Sequence, residues 1–306
     1  MLALRLLPAL ALSALIIPSL SVPALQADPV TFETARGPMT LNDVPQRIVA
    51  LDVSAIDSMT ALGVMPVGAV APLYVSYLPA VAQQAAPVGT FFEPDMEAIA
   101  ALAPDLIVIG PRSAAMADAL GAIAPVADMS VGTDALGDGK ARLAAFGVML
   151  GKSSEAGALQ KALDDRLAKV RAASQAQGGR ALIVMTNGPK LSVFGPESRF
   201  GWLHGAAGFA PALSHTVDSR HGEAVSFEYV AAANPDTLLV VDRGAAIGDG
   251  GAGARATLDT PLIAGTSAGQ AGRIIHLAPA ELYIATGGIQ SLNRTLDELS
   301  AALGVE

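Results

Sequence analysis

Three arginines stand where a ligand-binding cleft is expected. Arg112 and Arg243 each follow an apolar run that is typical of a β-strand, at 106–109 and 238–241. Ligands of open α/β sheets bind beyond the carboxyl ends of the strands. Arg199 lies in a loop that follows a predicted hairpin. Because a guanidinium group stays charged and presents a planar fork of donors, three converging arginines predict a site for a polyanion. The alternative is that each arginine pairs with a local carboxylate on the surface.

Three further side chains are candidates for the same site. His221 and Tyr283 are predicted in loops between elements. A phenolate oxygen is a hard donor that suits ferric iron, whereas plain hydrogen bonding is the alternative role for both residues. The four histidines contain no His-x-x-x-His pair, so direct zinc or manganese binding has weak support. Trp202, three residues after Arg199, is included among the candidate ligand-binding residues.

The two halves of the chain contain an internal repeat. Residues 96–112 and 227–243 align without a gap, and the repeat includes four identical pairs: Glu97 and Glu228, Pro104 and Pro235, Asp105 and Asp236, and Arg112 and Arg243. Two similarly built lobes with a ligand cleft between them are the expected consequence. Glu97 and Glu228 stand near predicted helix starts, where a carboxylate favours the helix dipole. Alternatively, they provide one acidic contact per lobe for a two-fold symmetric partner.

The predicted elements indicate an α/β fold with two lobes. In the first half, strands at 47–51, 67–70 and 106–109 alternate with helices at 54–62 and 95–102, a rhythm that predicts a parallel sheet covered by helices. A long helix at 153–177 is interpreted as the connection between the lobes, with an ordinary surface helix as the alternative. Later elements are predicted as strands at 181–185, 191–194, 238–241 and 274–277 and as helices at 141–150, 227–233 and 291–303. The expected division is a leader at 1–27, an N-terminal lobe at 28–152, the helix at 153–177 and a C-terminal lobe at 178–306.

Composition and the N-terminal segment limit the class of protein. The chain has 306 residues, 52% of them hydrophobic, and a formal net charge of −9, which argues against nucleic acid or an anionic membrane as the partner. Arg5 precedes a short, proline-broken apolar stretch and small residues near Ala27, a pattern typical of a cleaved signal peptide rather than a membrane anchor. The chain contains no cysteine, so disulfides, thiolate metal sites and a lipid-anchored cysteine are excluded. These features predict a protein that is free in the periplasm.

Signatures of enzymes are missing from the sequence. It contains no Gly-x-Ser-x-Gly, P-loop, His-Glu-x-x-His or dinucleotide-binding glycine motif after the first strand. The glycine-rich stretch at 248–253 is not followed by Lys-Ser or Lys-Thr and is interpreted as a flexible loop. We therefore expect a binding protein that is not an enzyme and has no permanently bound cofactor.

Several stretches resemble one family of transport proteins. The opening at 45–51, the helix end at 61–64, the repeat and the long central helix resemble the helical-backbone binding proteins of ABC importers for iron–siderophores, cobalamin and haem. Four strings look like those of the petrobactin- and catecholate-binding branch: Val88-Gly-Thr with Glu93-Pro-Asp-Met-Glu97, Val184-Met-Thr-Asn-Gly188, Phe194-Gly-Pro-Glu-Ser-Arg-Phe-Gly-Trp202 and Val241-Asp-Arg-Gly-Ala-Ala-Ile-Gly248.

The resemblance implies a specific role for each candidate residue. Arg112, Arg199 and Arg243 would surround a ferric catecholate, and iron would enter only as part of that ligand. His221 and Tyr283 match positions that complete iron coordination in relatives. Glu97 and Glu228 match the lobe carboxylates that dock on arginines of the inner-membrane ABC permease, and the protein is expected to be a monomer. The alternatives are a haem or cobalamin binding protein, an enzyme acting on ferric chelates, or a partner-regulating sensor.

Overall fold

The structure is a computed structural model that describes residues 29–213 and 222–305. The predicted leader at 1–27 and His221 lie outside the described residues. The strands are β1 (Val30–Thr34), β2 (Gly37–Leu41), β3 (Ile48–Ala50), β4 (Gly68–Ala69), β5 (Ala86–Pro87), β6 (Leu106–Ile109), β7 (Val126–Asp128), β8 (Arg180–Asn187), β9 (Lys190–Phe194), β10 (Ala210–Pro211), β11 (Glu223–Val225), β12 (Thr237–Asp242) and β13 (Ile274–Leu277).

Helices alternate with these strands through most of the described chain. They are α1 (Val53–Ala61), α2 (Pro79–Gln84), α3 (Met96–Ala101), α4 (Ala117–Gly121), α5 (Ala135–Met149), α6 (Ser153–Gln177), α7 (Trp202–Gly205), α8 (Phe227–Ala233), α9 (Arg243–Ala246), α10 (Ala254–Leu258), α11 (Pro261–Ala264), α12 (Ser267–Gln270), α13 (Pro279–Tyr283) and α14 (Ile289–Leu303). A single 3₁₀ turn at Ala114–Met116 precedes α4.

The first sheet is entirely parallel, as the alternating elements predict. Its strand order is β5-β4-β3-β6-β7. All four residues of β6 are buried, because helices cover both faces of the sheet and each strand is therefore apolar on both sides. The antiparallel hairpin of β1 and β2, which the sequence prediction missed, packs against α5.

The second sheet is mixed. Its order is β11-β9-β8-β12-β13, with β10 paired to the first residues of β8. Strands β8, β12 and β13 run parallel, while β9 and β11 are antiparallel to their neighbours. The antiparallel part begins at the predicted Asn187-Gly188 turn, where Gly188 has a φ of 57°. Two α/β units with parallel-rich sheets and one long helix confirm the predicted fold class.

The long helix α6 has the predicted limits, but the C-terminal helix returns to the first half of the chain. Helix α14 packs against α6 and α1. Asp57 in α1 holds its N-terminus, since Oδ1 accepts from the Gln290 amide at 2.8 Å and Oδ2 accepts from the Ser291 amide at 2.9 Å. The hydroxyl of Tyr77 also donates to Oδ2, at 2.5 Å. The division of the chain at 152 and 178 therefore stays a prediction, with α14 packed across it.

Two helices begin earlier than the sequence predicts. Helix α5 begins at Ala135 rather than at 141, because the Asp134 side chain accepts from the amide of Gly137 and caps the helix. Gly137 and Gly139 lie in the first turns of α5. Because glycine is a poor helix former, helix propensity did not predict this start. Helix α14 begins at Ile289 rather than at 291, since the Asp57 carboxylate substitutes for a local capping residue.

Candidate functional site

The three predicted arginines converge on one residue, Tyr283. This tyrosine is the last residue of α13, directly after β13. Arg112 follows β6 in the first sheet, Arg243 is the first residue of α9 after β12, and Arg199 lies in the loop between β9 and α7. The strand-end positions inferred from the repeat thus bring one arginine from each sheet to the same point.

Arg112 and Arg199 bind the backbone around Tyr283. Arg112 Nη2 donates to the Tyr283 carbonyl oxygen at 2.7 Å, and its Nη1 donates to that of Ile284 at 3.3 Å. Arg199 Nη2 donates to the same Tyr283 carbonyl at 3.0 Å and to Thr286 Oγ1 at 2.9 Å. Since Arg112 comes from the first half of the chain, its two bonds tie the first sheet to the segment after β13.

Arg243 contacts the side chain of Tyr283 instead. Its Nε donates to the phenol oxygen at 3.1 Å, and its Nη1 donates to Asn187 Oδ1 at 3.2 Å. Asp242 fixes the start of α9 by accepting from the amides of Ala245 at 3.1 Å and Ala254 at 2.6 Å. Arg243 is therefore held at a defined helix start, and the phenol oxygen is polarised by a cation.

All three guanidinium groups also face the ring of Tyr283. Their central carbons lie 5.9 Å from the ring centroid for Arg112, 4.7 Å for Arg199 and 5.7 Å for Arg243. Cations within about 6 Å of an aromatic centroid are attracted to the ring quadrupole. The tyrosine thus helps to assemble three like charges that would otherwise repel one another.

Two of the three arginines, Arg112 and Arg243, lack a carboxylate partner among the residues that the structure describes. Within ranges 29–213 and 222–305, five ion pairs join Arg36 to Asp128, Lys140 to Asp164, Lys152 to Glu155, Lys161 to Asp165 and Arg166 to Asp297. Within the described ranges, neither Arg112 nor Arg243 forms a salt bridge with a carboxylate. In a chain with a net charge of −9, this concentration of cations favours an anionic ligand.

Two cavities meet at Arg199 and Tyr283. The larger, about 610 Å³, is also lined by Arg243, Asn187, Lys190 and Phe194. The smaller, about 250 Å³, is also lined by Arg112, Thr286, Phe92 and Asp52. Asp52 is buried and engaged in capping α1, where Oδ1 accepts from the Ala55 amide at 3.0 Å. The larger cavity is lined only by residues of the second half, whereas the smaller one is lined by both halves and so lies between them. Together they offer space for a compact ligand.

The loop that carries Arg199 is held in a tight turn. The Ser198 hydroxyl donates to the Gly195 carbonyl at 2.6 Å. A Cβ at Gly201 would lie 1.7 Å from the Pro196 carbonyl oxygen, so only glycine fits there. The ring of Phe200 is buried beneath, and the Arg199 guanidinium carbon lies 5.2 Å from its centroid. The string Gly-Pro-Glu-Ser-Arg-Phe-Gly therefore encodes a rigid support for one arginine.

The other predicted residues lie in different places. Trp202 is 7% exposed and lines a separate cavity with Lys140 and Glu197, so its inclusion among the ligand contacts stays a prediction. Glu97 and Glu228 are exposed in the first turns of α3 and α8, and their docking role also stays a prediction. His221 cannot be placed, because it lies outside the described residues.

Sequence analysis did not identify several residues of the site. Among them are Asn187, Lys190, Thr286 and Phe92. Asn187 stands in a recognised Asn-Gly turn, but a turn asparagine has a sufficient local role of its own. Thr286 comes three residues after Tyr283, and only the knowledge that α13 ends at Tyr283 would have singled it out.

Two further properties concern the described part of the chain. No group of three His, Cys, Asp or Glu side chains at 29–213 and 222–305 is arranged to hold a metal ion. Within the same ranges, no helix combines the length and apolarity needed to cross a membrane.

Known proteins resemble this chain over most of its length. Residues 48–281 match the model of a family described as periplasmic binding protein. The petrobactin-binding protein YclQ of Bacillus subtilis is 31% identical over 265 residues, which are 85% of this chain and 83% of that protein. The ferric-anguibactin-binding protein FatB of Vibrio anguillarum is 28% identical over 281 residues, covering 89% and 86% of the two chains.

Solved structures share the fold as well. The crystal structure of YclQ superimposes with a TM-score of 0.84 at 29% identity, covering 92% of this chain and all of that one (100%). The periplasmic catecholate-siderophore binding protein VctP of Vibrio cholerae gives a TM-score of 0.82 at 31% identity, with 90% and 100% coverage. By name, these relatives bind petrobactin, ferric anguibactin and catecholate siderophores.

Proposed function

Since this chain belongs to the periplasmic binding protein family, we propose that it captures an anionic ferric siderophore and delivers it to an ABC importer. The ligand class is a catecholate or a mixed catecholate and citrate chelate of the petrobactin type. The observation that carries the proposal is the convergence of Arg112, Arg199 and Arg243 on Tyr283, with no described carboxylate paired to Arg112 or Arg243. The protein acts in the periplasm, as a monomer and without catalysis.

The chemistry of the ligand matches the arginines. A ferric catecholate complex carries several negative charges on a compact, rigid body, and its oxygens accept hydrogen bonds. Each charge-assisted bond contributes about 1.5–3 kcal/mol. Binding exchanges the guanidinium bonds to backbone carbonyls for bonds to the ligand, or adds to them through the remaining donors, since each guanidinium has five N–H groups.

Tyr283 and His221 are the proposed groups that reach the iron itself. The phenol oxygen of Tyr283 accepts from Arg243 Nε and borders the larger cavity. A tyrosine oxygen is a hard donor of the kind that suits ferric iron. His221 enters this proposal only through the family resemblance. Both residues matter for a chelate that leaves coordination positions open, and less for one that saturates the metal.

A titration tests the ligand class. The intrinsic fluorescence of the single tryptophan, Trp202, would be followed while ferric petrobactin, ferric enterobactin, ferric dicitrate, haem and cobalamin are added separately. We expect saturable quenching at submicromolar concentration by a ferric catecholate. Tight binding of haem or cobalamin alone would keep the transport role and overturn the ligand class. A folded protein that binds none of the five would overturn the proposed function.

A charge-matched pair of variants tests the site. The triple variant R112A/R199A/R243A should lose at least about 1,000-fold in affinity for the ferric catecholate, because each arginine contributes about 1.5–3 kcal/mol. The control, K152A/K161A/K169A, removes the same charge from the long helix α6 and its N-cap. It should bind like the wild type. Equal losses in the two variants would indicate a long-range charge effect and contradict a specific arginine site.

Delivery to the permease depends on Glu97 and Glu228 in this proposal. Each carboxylate is exposed in the first turn of a helix that is capped by the preceding Asp95 or Ser226. The Ser226 hydroxyl holds the pKa of Glu228 below its ordinary value, so this carboxylate stays charged at neutral pH. The variant E97Q/E228Q should bind the ferric catecholate normally but fail to support uptake in cells. Normal uptake by that variant would remove the docking role.

A further inference from the structure

Phe92 is an exposed aromatic residue inside the site. Its side chain is 66% exposed, whereas the next most exposed large hydrophobic residue of the described chain, Val148, is 40% exposed. Phe92 lines the smaller cavity together with Arg112, Arg199 and Tyr283. An apolar ring exposed to water beside two cations, Arg112 and Arg199, carries a cost in the free protein that contact with an apolar group of a ligand would recover.

The turn around Phe92 holds the ring outward. Thr90 Oγ1 accepts from the amides of Phe92 at 3.2 Å and Glu93 at 3.0 Å, and the Thr90 amide donates to the Glu93 carbonyl at 3.1 Å. Gly89 has a φ of 83°, and a Cβ there would lie 2.4 Å from the Glu93 carbonyl oxygen. The chain thus folds back at this point into a fixed turn, so Phe92 is presented by a defined backbone.

Neighbouring rings support the same arrangement. Phe91 is 7% exposed, and its ring meets that of Phe92 edge to face, with centroids 4.9 Å apart and planes at 75°. The guanidinium carbon of Arg112 lies 5.1 Å from the Phe91 centroid, and Tyr74 packs on the other side at 6.0 Å. One aromatic cluster therefore positions Arg112 and leaves Phe92 as its most exposed ring, at 66% against 37% for Tyr74.

We propose that Phe92 is a specificity-determining ligand contact, whose ring packs against an aryl ring of the iron chelate held by the arginines. This inference rests on the proposed function and goes one step further, because it assigns the choice between aryl chelators and hydroxycarboxylates to one residue. A catecholate or phenolate ring offers an aromatic face and edge to Phe92, whereas ferric dicitrate has only carboxylates, hydroxyls and methylenes. The arginines recognise the charge of both classes, and Phe92 distinguishes between them.

Three substitutions at this position separate the ring from its apolar area. F92Y keeps the ring and F92L keeps much of the apolar area without it, while F92A removes both. Dissociation constants would be measured by calorimetry for ferric enterobactin and ferric dicitrate, with V148A as a control that removes exposed apolar area from α5, outside the site. Because aromatic pairs gain beyond their buried area, F92L should bind ferric enterobactin about 3- to 10-fold more weakly. F92A should lose more than F92L, and F92Y and V148A should stay within about twofold of the wild type.

Affinity for ferric dicitrate should stay within about twofold of the wild type in all four variants, since no aromatic pair forms with this ligand. Unchanged binding of ferric enterobactin by F92A, equal losses for the two ligands, or a wild type that binds only the citrate complex would each overturn the role of Phe92 while the transport function stands. A wild type that binds neither chelate would overturn the proposed function, and this inference with it.

Discussion

Arg112 and Arg243 occupy equivalent positions in the two halves of the chain, but they contact different atoms of Tyr283. Each follows a helix with a carboxylate in its first turn and then a buried strand, β6 or β12, that lies second from the edge of its sheet. Arg112 reaches across to the backbone carbonyls of Tyr283 and Ile284. Arg243 stays within its own half and donates to the phenol oxygen. The repeat therefore explains where the two cations stand, and the surroundings of each determine what it does.

The equivalence extends to the joint beneath each arginine. Asp105 accepts from the Arg47 amide at 2.9 Å, and Asp236 accepts from the Arg180 amide at 2.8 Å. The side chains of Arg47 and Arg180 in turn donate to carbonyls at the ends of α3 and α8. The Pro-Asp pair of the repeat is thus part of a structural joint that fastens each helix end to the neighbouring strand.

The first half presents a buried acid, Asp57, to the C-terminal helix α14. Burial raises the pKa of Asp57 from an ordinary 3.8 to about 7, against the opposing effect of its hydrogen-bond donors. Between these two pH values the folded chain keeps a proton that the unfolded chain releases. Stability should therefore fall as pH rises from about 4 to 7 and level off above it.

The variant D57N removes this titration. The quantity to compare is the free energy of unfolding of the wild type minus that of D57N at each pH. This difference should fall by a few kcal/mol between pH 4 and 8, since one pKa unit corresponds to about 1.4 kcal/mol. Urea denaturation at a series of pH values would measure it. His204 in the second half provides a control with the opposite pH dependence. Burial lowers the pKa of His204, so the wild type should lose stability as the pH falls below about 6.5. H204Q should remove that loss. Parallel pH profiles for wild type and D57N would contradict the assignment.

A double-mutant cycle would test the different roles of the two arginines. R112A and R243A should each weaken binding of a ferric catecholate by about 10- to 100-fold, as expected for a charge-assisted hydrogen bond. Y283F removes only the hydroxyl that Arg243 contacts. The coupling energy between R243A and Y283F should therefore be about 1 kcal/mol, and that between R112A and Y283F should be close to zero. Equal coupling for both pairs would show that the two arginines act alike.

The Pro-Asp joints should differ in strength in a way that follows their contacts. Asp105 accepts from two amides, those of Gln46 at 2.7 Å and Arg47 at 2.9 Å, whereas Asp236 has one such bond, to Arg180. D105A should lower the free energy of unfolding by about 2 kcal/mol and D236A by about 1 kcal/mol, since each bond contributes about 1 kcal/mol. Denaturation of the two variants side by side would measure the difference. If D236A lost more free energy of unfolding than D105A, contacts other than these hydrogen bonds would have to stabilise the joint at Asp236.

Local sequence signals made much of this structure predictable. The strand at 106–109, the helix at 227–233 and the long helix at 153–177 agree with the prediction at both ends, because apolar periodicity and caps are local signals. Arg112, Arg199 and Arg243 were predicted to share a site, and strand-end positions brought them together. The order of strands and helices along the chain was enough to predict that these arginines lie near one another.

What escaped prediction depends on contacts between distant residues. Nothing near Ile289 marks the start of α14, because its cap is supplied by Asp57 from the first half. The sequence also does not predict that Tyr283 is the common partner of three arginines, since two of them bind its backbone carbonyl rather than its side chain. Phe92 was overlooked because an apolar residue in a sequence predicts burial, and its exposure follows only from the turn that carries it.

The finest difference between the halves lies at the residue before each repeated proline. Ala103 has a φ of 43° and Asn234 a φ of 41°, both in the left-handed region. Asparagine tolerates this conformation, and its Oδ1 also accepts from the Ser267 amide at 2.8 Å. Alanine in this conformation costs about 1–2 kcal/mol. A103G removes this strain but increases the conformational entropy of the unfolded chain, so the free energy of unfolding should rise by about 0.5 kcal/mol. N234G has little strain to relieve and loses a hydrogen bond, so it should destabilise by about 1 kcal/mol. We expect the urea midpoint to rise for A103G and to fall for N234G. That result would show that the left-handed backbone is strained at Ala103 and is stabilised by the side chain at Asn234. A destabilised A103G would mean that the left-handed alanine carries no strain.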